Sequence, residues 1–570
     1  MIEIFFASLS SICMYLVFGH EFNKYCFDGK TLSQENYSEK SLFGILLISF
    51  LGLILNFIIP LNEWVGTLFL LIAYILTIKL LYLEKKNSEI FIFLIFTSVT
   101  TFLLITLANV NRPDAGLYHL PFTSLINESK IIIGSSNIHF RFGHTSTLQY
   151  LSAINNNLFF SKGSITIPIA SIVSIFIYFA IKKISFFLRN GKNNRSLIVF
   201  LITIFSLYSF SRYSNYGNDV AVHVYFFILI IFLLNIESIS KIDKNLFYKI
   251  SFLSIFLFSL KTFMVVIFLV PLLTFIFSKI KMDLIKNKNF IISMVLILSW
   301  IIRNILISGC LIYPLSFSCS NSLKYYDQDR TLETKSMSEA WAKGWSDQRG
   351  NIITDYEKFT NNFNWFNVWK SKHLKKIVEK FSPFLIFTLL IGIFLISKKY
   401  FLKEKIDNKS YDNKNDIKII FLISGIFLIL WFLKFPLYRY GQSFILISYV
   451  SIYTVFIGKL VNLDNKLFFK KFYSTIIIIG IVMFFNKNIL RIIDNYEYTY
   501  NDYPWPKIYS FDQKKLNEKQ VFKKIVKNDQ KIYYYSSQVM CMYSKSPCSH
   551  YDLKNLNKGK FFSYDVYWVD

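Results

Sequence analysis

Several features that would assign the 570-residue sequence to other protein classes are missing from it. Its long apolar runs do not alternate with polar residues, which excludes a transmembrane β-barrel. No internal repeat is visible, which counts against a transporter built from duplicated halves. The first apolar stretch, MIEIFFASLSSICMYLVFG, lacks a basic n-region and a small-residue cleavage site. We therefore expect it to remain as a helix and not to be removed as a signal peptide.

Acidic residues are scarce, with 36 Asp and Glu against 63 Lys and Arg, which gives a net charge of +27. In a soluble protein such an excess would point to nucleic acid. Here the lysines form short clusters between apolar runs, where the positive-inside rule expects cytoplasmic connections. We interpret the charge as a topology signal and expect no nucleic-acid partner.

Apolar residues are abundant: 53% of the chain is hydrophobic and 19% is aromatic. Runs such as SLFGILLISFLGLILNFIIP and IFIFLIFTSVTTFLLITLA approach the roughly 20 residues that cross a bilayer as a helix. The sequence therefore predicts an all-α polytopic membrane protein, integral to a bilayer such as the bacterial inner membrane.

Basic connections fix the expected topology. Four of them should be cytoplasmic: 182–195, 278–289, 398–418 and 459–471. Counting spans between them leaves residues 250–277 with both flanks in the cytoplasm, although this stretch is barely longer than one helix. Two short helices that meet near Lys261 satisfy the count. A single span with Lys261 at mid-membrane is the alternative, and it would place two of the four connections outside.

With the helical hairpin accepted, we count about 12–14 membrane segments. The loops 110–163 and 309–381 then lie outside, on the periplasmic side in a bacterium, together with a small α/β or mixed domain at 487–570. Two cysteine pairs share this side: Cys310 with Cys319, and Cys541 with Cys548. They can form local disulfides in an oxidising compartment or remain isolated thiols.

The stretch NRPDAGLYHLP, residues 111–121, places polar groups at the end of a membrane-length apolar run. Asp114 follows Pro113 and is either the N-cap of a helix or a carboxylate held at the membrane boundary for chemistry. The segments LYHLPFTSLI and GHTSTLQYLSAI have apolar residues at helical spacing. We expect both to lie flat on the membrane surface as amphipathic helices.

Four more ionisable residues fall near the same predicted face. Asp219 is an N-cap or a second acid, and Lys261 either has a partner at the helix break or snorkels to the interface. Arg303 and Arg439 stand at the ends of apolar runs, where a lone arginine usually anchors a helix. Their convergence on the face that holds Asp114 favours a functional interpretation.

This combination of charges suits one type of chemistry. Arginine and lysine bind an anionic substrate at the membrane surface and stabilise a leaving phosphate. A carboxylate opposite them can remove a proton from an incoming hydroxyl group as a general base. Group transfer from a lipid-linked phosphate uses both.

The short motifs DAGLYHLP, HFRFG, YGND, SLKT, RNILISGCLIYP and FPLYRY resemble, as a set, those of the GT-C superfamily of polytopic glycosyltransferases. The branch with protein O-mannosyltransferases and lipid A aminoarabinose transferases is the most similar. The resemblance implies a GT-C-like helical module at 90–486, preceded by extra membrane helices at 1–89. It also implies sugar transfer from a polyprenyl-phosphate donor to a lipid, glycan or protein acceptor outside the cytoplasm, with inversion as the expected stereochemical outcome in that family.

The resemblance also implies roles for individual residues. Asp114 would be the catalytic base, and Lys261, Arg303 and Arg439 would contact the donor phosphate. The full set of implied substrate contacts is Arg112, His119, Arg141, Asp219, Lys261, Arg303, Asn304, Tyr313, Arg439 and Tyr440. A divalent cation, Mg²⁺ or Mn²⁺, on Asp114, Asp219 and the loop histidines is a further option, although no ligand spacing typical of a metal site is present.

Other functions stay open at this point. An envelope polysaccharide polymerase or ligase would use the same donor class with a different acceptor. A lipid or solute transporter would place its polar residues near the bilayer midplane. A scaffold without catalysis is the remaining alternative. The sugar and the acceptor are not specified by the sequence.

Overall fold

The computed structural model describes most of the chain. The described residues are 1–27, 37–83, 88–108, 113–213, 216–236, 242–279, 281–345, 356–402, 415–461, 465–496, 504–508, 521–526, 530–535, 540–549 and 555–570.

Helices form most of this structure. The helices of the first half are α1 Ile2–Cys26, α2 Tyr37–Asn56, α3 Glu63–Leu83, α4 Ser88–Ile105, α5 Leu120–Glu128, α6 Thr147–Ile154, α7 Ile167–Arg189, α8 Asn193–Ser209, α9 Asp219–Leu233 and α10 Lys244–Leu260. Those of the second half are α11 Leu269–Phe277, α12 Lys281–Ile285, α13 Lys288–Ser308, α14 Gln328–Ala342, α15 Tyr356–Thr360, α16 Phe366–Trp369, α17 Lys375–Leu402, α18 Asn415–Lys434, α19 Tyr438–Leu460 and α20 Lys466–Tyr496.

Ten helices in the described part of the chain are long and apolar enough to cross a membrane: α1 to α4, α7, α13 and α17 to α20, two of them with the turns that precede them. Two shorter apolar segments, Asp219–Leu233 and Thr262–Phe277, accompany them. The fold is therefore that of a multi-pass membrane protein. The prediction of 12–14 membrane segments is thus supported for ten helices of the described residues, and the two shorter segments are below membrane length.

The N-terminal helices are integrated into the bundle. Helix α1 packs on α2, α3, α4 and α7, and α2 and α3 both contact α6. The contact between α1 and α2 is close because Gly19 and Gly44 face each other across it. A Cβ atom on Gly44 would lie 1.7 Å from the Tyr15 carbonyl oxygen. The two backbones can approach this closely only where neither has a side chain.

The hairpin inferred from the lysine pattern is confirmed. Helix α10 ends at Leu260, Lys261 is extended (φ −157°), and a 3-10 helix, Thr262–Phe268, then leads into α11. The two arms run back along each other: the ring centroids of Phe258 and Phe268 are 5.4 Å apart, and those of Phe247 and Phe275 are 6.4 Å apart. The first arm alone is about 25 Å long at 1.5 Å per residue. Lys261 therefore lies at the tip of a hairpin whose length approaches the thickness of the hydrocarbon core.

The predicted outer segments pack together at one end of the bundle, which we call the loop face. There, the backbone of Ile133 pairs with a C-terminal strand, and Arg330 donates a hydrogen bond to the Asn137 carbonyl at 2.9 Å. The strands are β1 Val521–Val526, β2 Gln530–Tyr535, β3 Cys548–Ser549, β4 Leu556–Phe561 and β5 Tyr564–Val569. Antiparallel β1–β2 with parallel β3 forms one sheet, and antiparallel β4–β5 forms the other. Helix α20 continues to Tyr496, so the first ten residues assigned to this domain, 487–496, are still part of that helix.

Both local disulfides form: Cys310 is bonded to Cys319, and Cys541 is bonded to Cys548. Of the two options that the sequence left open, the structure adopts the paired one.

The prediction of two amphipathic helices on the membrane surface is right about the helices and wrong about their position. Helices α5 and α6 do form within the predicted segments, but every residue of α6 is buried, as is every residue of α5 except Glu128. Helix α6 lies between α2, α5 and α10, and Ser124 of α5 donates a hydrogen bond to the Ser544 carbonyl at 2.7 Å. Protein covers the faces that the periodicity had assigned to lipid and water.

We expect Gly44→Ala to destabilise the protein by about 1–3 kcal/mol, because the added methyl group meets backbone that cannot rotate away. Gly425→Ala is the matched control, since a Cβ atom at Gly425 of α18 has no neighbour within 4 Å. Thermal unfolding in nanodiscs, followed by tryptophan fluorescence, should show a lower midpoint for Gly44→Ala only. Equal midpoints for both variants would contradict the close helix contact.

Candidate functional site

Asp114 lies at a break in regular helix geometry. It is helical itself (φ −57°, ψ −38°) and is followed by a π-helix, Ala115–His119, that runs into α5. In the described structure its side chain makes no capping hydrogen bond to the helix, so the N-cap interpretation fails. Single π-helical turns within α-helices are often found at functional sites. The carboxylate is directed to a partner far away in sequence.

That partner is Arg439, at the start of α19. The Arg439 Nη1 atom lies 2.7 Å from Asp114 Oδ2, and its Nε atom lies 3.8 Å from Asp219 Oδ2. The other oxygen of Asp219 accepts a short hydrogen bond from Lys261 Nζ. The Lys261 ammonium group is also 3.4 Å from the centroid of the Tyr440 ring, and the Tyr440 hydroxyl accepts from Arg439 at 3.1 Å.

We call these five residues, Asp114, Asp219, Lys261, Arg439 and Tyr440, the ion cluster. Sequence reasoning had named all five as site residues, and the structure brings them together from four separate parts of the chain. Side-chain exposure is 31% for Asp114, 46% for Arg439, 20% for Asp219 and 19% for Lys261. The cluster is therefore open to a ligand.

Three residues that sequence reasoning missed hold Arg439 in place. The indole nitrogens of Trp369 and Trp431 donate to the carbonyls of Pro436 and Leu437, at 2.7 and 2.8 Å. His223 forms a 2.7 Å hydrogen bond with the carbonyl of Arg439. These bonds fix the non-helical turn before α19. The only sequence signal was the spacing of Asp219 and His223, which stand one helical turn apart on α9.

Lys261 is fixed by the hairpin tip. The side chain of Asn218 donates to the carbonyl of Leu260 at 2.7 Å, which ties the start of α9 to the end of α10. Asp219 and Lys261 follow these two residues directly. The hairpin tip is thus held next to Asp219, the acid that neutralises the Lys261 ammonium group.

His119 and Arg141 flank the ion cluster without joining it. His119 is buried, and its Nδ1 atom is 2.8 Å from Gln149 Nε2. Burial lowers the pKa of His119 to about 4, although the carboxylates of Asp114 and Asp219 act in the opposite direction. His119 is therefore neutral at pH 7 and supplies a hydrogen-bonding group, not a charge.

Arg141 lies close to Tyr118. Burial and then the Asp114 carboxylate raise the pKa of the Tyr118 hydroxyl well above its ordinary value, while Arg141 and Arg439 act against this. Tyr118 thus stands within electrostatic range of both arginines. Arg141 contacts the Ser338 hydroxyl at 3.4 Å, and no described carboxylate lies within ion-pair distance of it. It is a positive charge that the site's own acids do not balance.

Three predicted contacts lie elsewhere. Arg303 is fully buried and donates to Tyr150, Asn304, the Thr145 hydroxyl and the Phe142 carbonyl. This role differs from the predicted phosphate contact, because the enclosed guanidinium already has neutral protein partners.

Asn304 donates to the Leu311 carbonyl at 3.1 Å, and Tyr313 is buried with its hydroxyl 3.3 Å from Thr334. Both stabilise the loop after α13 and present no polar atom to the ion cluster among the contacts described. Arg112 lies outside the described residues.

For the divalent cation that the sequence left as an option, the described residues offer no donor set. No three His, Cys, Asp or Glu side chains come together there as metal ligands. Asp114 and Asp219 both bind Arg439, so a cationic side chain already stands where a shared metal ion would have to lie.

An apolar cavity of about 630 Å³ lies along the second arm of the hairpin. Its lining includes Val265, Phe268 and Leu272 from this arm, with Phe290 and Met294 from α13. The cavity begins four residues from Lys261, and none of its described lining residues is charged.

Comparison with known families gives one match. The family described as a domain of unknown function (DUF8201) matches residues 1–446. The chain belongs to this family. The match includes the whole ion cluster and ends within α19, so the C-terminal strands lie outside it. No curated protein and no solved structure matches the chain.

For this DUF8201 protein we expect Arg303 and Asp114 to differ in their effect on stability. Arg303→Met leaves several buried polar groups without a partner, each worth about 1–3 kcal/mol, and should lower the unfolding free energy. Asp114→Asn breaks a partly exposed ion pair worth about 1 kcal/mol or less. Denaturation in detergent measures both. A larger loss for Asp114→Asn would contradict the structural role of Arg303.

The buried His119 predicts acid sensitivity. Its folded pKa of about 4 lies below the unfolded value, so the unfolded chain binds the proton first as pH falls from 6.5 to 4. His119 should therefore reduce stability in this window, by up to about 1.4 kcal/mol per pH unit. Unfolding midpoints measured from pH 7 to 4 should fall less steeply in His119→Gln than in wild type. Parallel slopes would show that His119 does not titrate as described.

Proposed function

We propose that this protein is a membrane glycosyltransferase of GT-C type that uses a polyprenyl-phosphate-linked sugar. The observation that carries the proposal is the ion cluster, in which Arg439 binds a candidate base, Asp114, beside a lysine at the tip of a membrane hairpin. This pairs a proton acceptor with cations suited to a phosphate at the membrane edge.

In the proposed reaction, these residues account for the transferred proton and for the charge on the leaving group. The oxygen of the acceptor hydroxyl bonds to the anomeric carbon of the donor sugar, and the bond from that carbon to the phosphate oxygen breaks. Asp114 accepts the hydroxyl proton. The polyprenyl phosphate leaves with the bonding electron pair and gains a negative charge, which Arg439 and Lys261 neutralise.

The charges of the ion cluster and of Arg141 indicate how a donor phosphate would bind at the site. Within the cluster two carboxylates face two cationic side chains, so the cluster alone does not attract an anion strongly. Arg141 adds an unbalanced positive charge nearby. A donor phosphate that binds Arg439 and Arg141 would compete with Asp114 for the Arg439 guanidinium. Asp114 is then released to act as base only when donor is present.

Two further features support a lipid-linked donor. The apolar cavity beside the hairpin can receive part of a lipid chain whose phosphate lies near Lys261. The cluster also lies at the hairpin tip, whereas a transport pathway places ionisable residues near the middle of the bilayer.

The test uses purified protein in nanodiscs with radiolabelled polyprenyl-phosphate sugars, scoring sugar release and transfer. Asp114→Asn should lower turnover by about 10²–10⁴-fold, the usual contribution of a general base, while donor binding persists. Arg439→Gln should weaken donor binding as well.

Two exposed residues supply matched controls: Asp494→Asn on α20 for the acid and Arg212→Gln for the arginine. Both should keep wild-type turnover. Wild-type protein that binds and turns over none of the donors, or an Asp114→Asn variant as active as wild type, would reject the proposal and make a transport assay the next step.

A further inference from the structure

The hairpin of β4 and β5 carries an unusual turn. Phe561 pairs with Tyr564, so Phe562 and Ser563 alone connect the strands. Phe562 has φ +50°, a conformation that glycine, asparagine or aspartate normally occupies in two-residue hairpin turns. A bulky aromatic residue there is unfavourable for the backbone. We therefore expect the Phe562 side chain to make a favourable interaction outside the hairpin.

Both phenylalanines at this tip are exposed, Phe561 by 60% and Phe562 by 86%. Their ring centroids are 4.8 Å apart in an edge-to-face arrangement, so they form one apolar knob. Lys560 next to them is also exposed. Such a knob is costly in water but suits the boundary between headgroups and acyl chains.

The tip is attached beside the end of a membrane span. The Tyr564 hydroxyl donates to the Phe57 carbonyl at 2.8 Å, and Phe57 directly follows α2. Ile58, next along the chain, is 68% exposed, and Trp64 at the start of α3 is 67% exposed. Both α2 and α3 are membrane-length helices, and only 33% of the α3 span is buried by protein, so Trp64 continues the exposed apolar surface of α3.

Basic groups surround the attachment. Lys130 donates to the Ser563 hydroxyl, and its ammonium group lies 4.2 Å from the centroid of the Tyr564 ring. Lys558 pairs with Asp565 at 2.9 Å, which leaves Lys560 as a positive charge at the tip. Lysines near a bilayer surface interact favourably with lipid phosphates.

We propose that the β4–β5 hairpin is a membrane anchor: Phe561 and Phe562 insert into the interface of the bilayer that the chain itself spans, at the loop face. The partner is the lipid surface next to α2 and α3. Through the pairing of Ile133 with β5, the anchor also ties the loop that carries Asp114 to the membrane. The inference does not depend on the transferase proposal.

To test this, the fluorophore NBD is attached to the cysteine of the Ser563→Cys variant, which keeps both phenylalanines. The labelled protein is placed in nanodiscs of phosphatidylcholine and phosphatidylglycerol. Asn555→Cys is the matched control, because it lies at the opposite end of the same hairpin, about 20 Å away at 3.3 Å per residue. The native thiols Cys13 and Cys26 are buried, and labelled wild type gives the background.

The probe at residue 563 should emit at shorter wavelength than the probe at 555. Lipids with a nitroxide near the headgroup should quench it at least about twofold more strongly, as expected for an interfacial position. Adding Phe561→Ser and Phe562→Gly should abolish this difference, and glycine at 562 suits the turn, so the hairpin is retained. Equal quenching at 563 and 555, or unchanged quenching after removal of both rings, would overturn the anchor.

Discussion

The arrangement at the loop face depends on one guanidinium group. Arg439 binds Asp114 at 2.7 Å and approaches Asp219 at 3.8 Å, and Asp219 in turn holds Lys261. Without Arg439, two carboxylates would face each other near an apolar boundary, where unbalanced charge is costly. The arginine therefore joins the loop after α4, the start of α9, the hairpin tip and the start of α19 into one site.

Much of the surrounding structure serves to hold that group. Trp369 and Trp431 fix the turn before α19, and His223 holds the Arg439 carbonyl from the same helix that begins with Asp219. Arg303 acts separately, because it donates to the Phe142 carbonyl and to the hydroxyls of Thr145 and Tyr150 and so satisfies buried polar groups. Two arginines with the same sequence context, each at the end of an apolar run, thus have different roles. They differ in burial and in partners, since Arg439 is partly exposed and binds carboxylates, whereas Arg303 is buried among neutral groups.

The sequence was informative where charge had to be neutralised in or near a membrane. The lysine pattern predicted the hairpin at Lys261, and the convergence of Asp114, Asp219, Lys261 and Arg439 followed from their shared sidedness. It was misleading where tertiary packing decides. The periodicity of α5 and α6 predicted helices correctly, but could not show that residues such as Ser544, more than 400 positions later, would cover them. The tryptophans that position Arg439 could not be told apart from ordinary interfacial tryptophans.

The most direct test of the central claim is a structure of the protein with a polyprenyl phosphate bound in nanodiscs. We expect phosphate oxygens on the Arg439 guanidinium, with Lys261 or Arg141 nearby, and the Asp114 carboxylate moved beyond the ion-pair limit of about 4 Å from Arg439. A phosphate bound elsewhere, with the Asp114–Arg439 pair still at 2.7 Å, would contradict it.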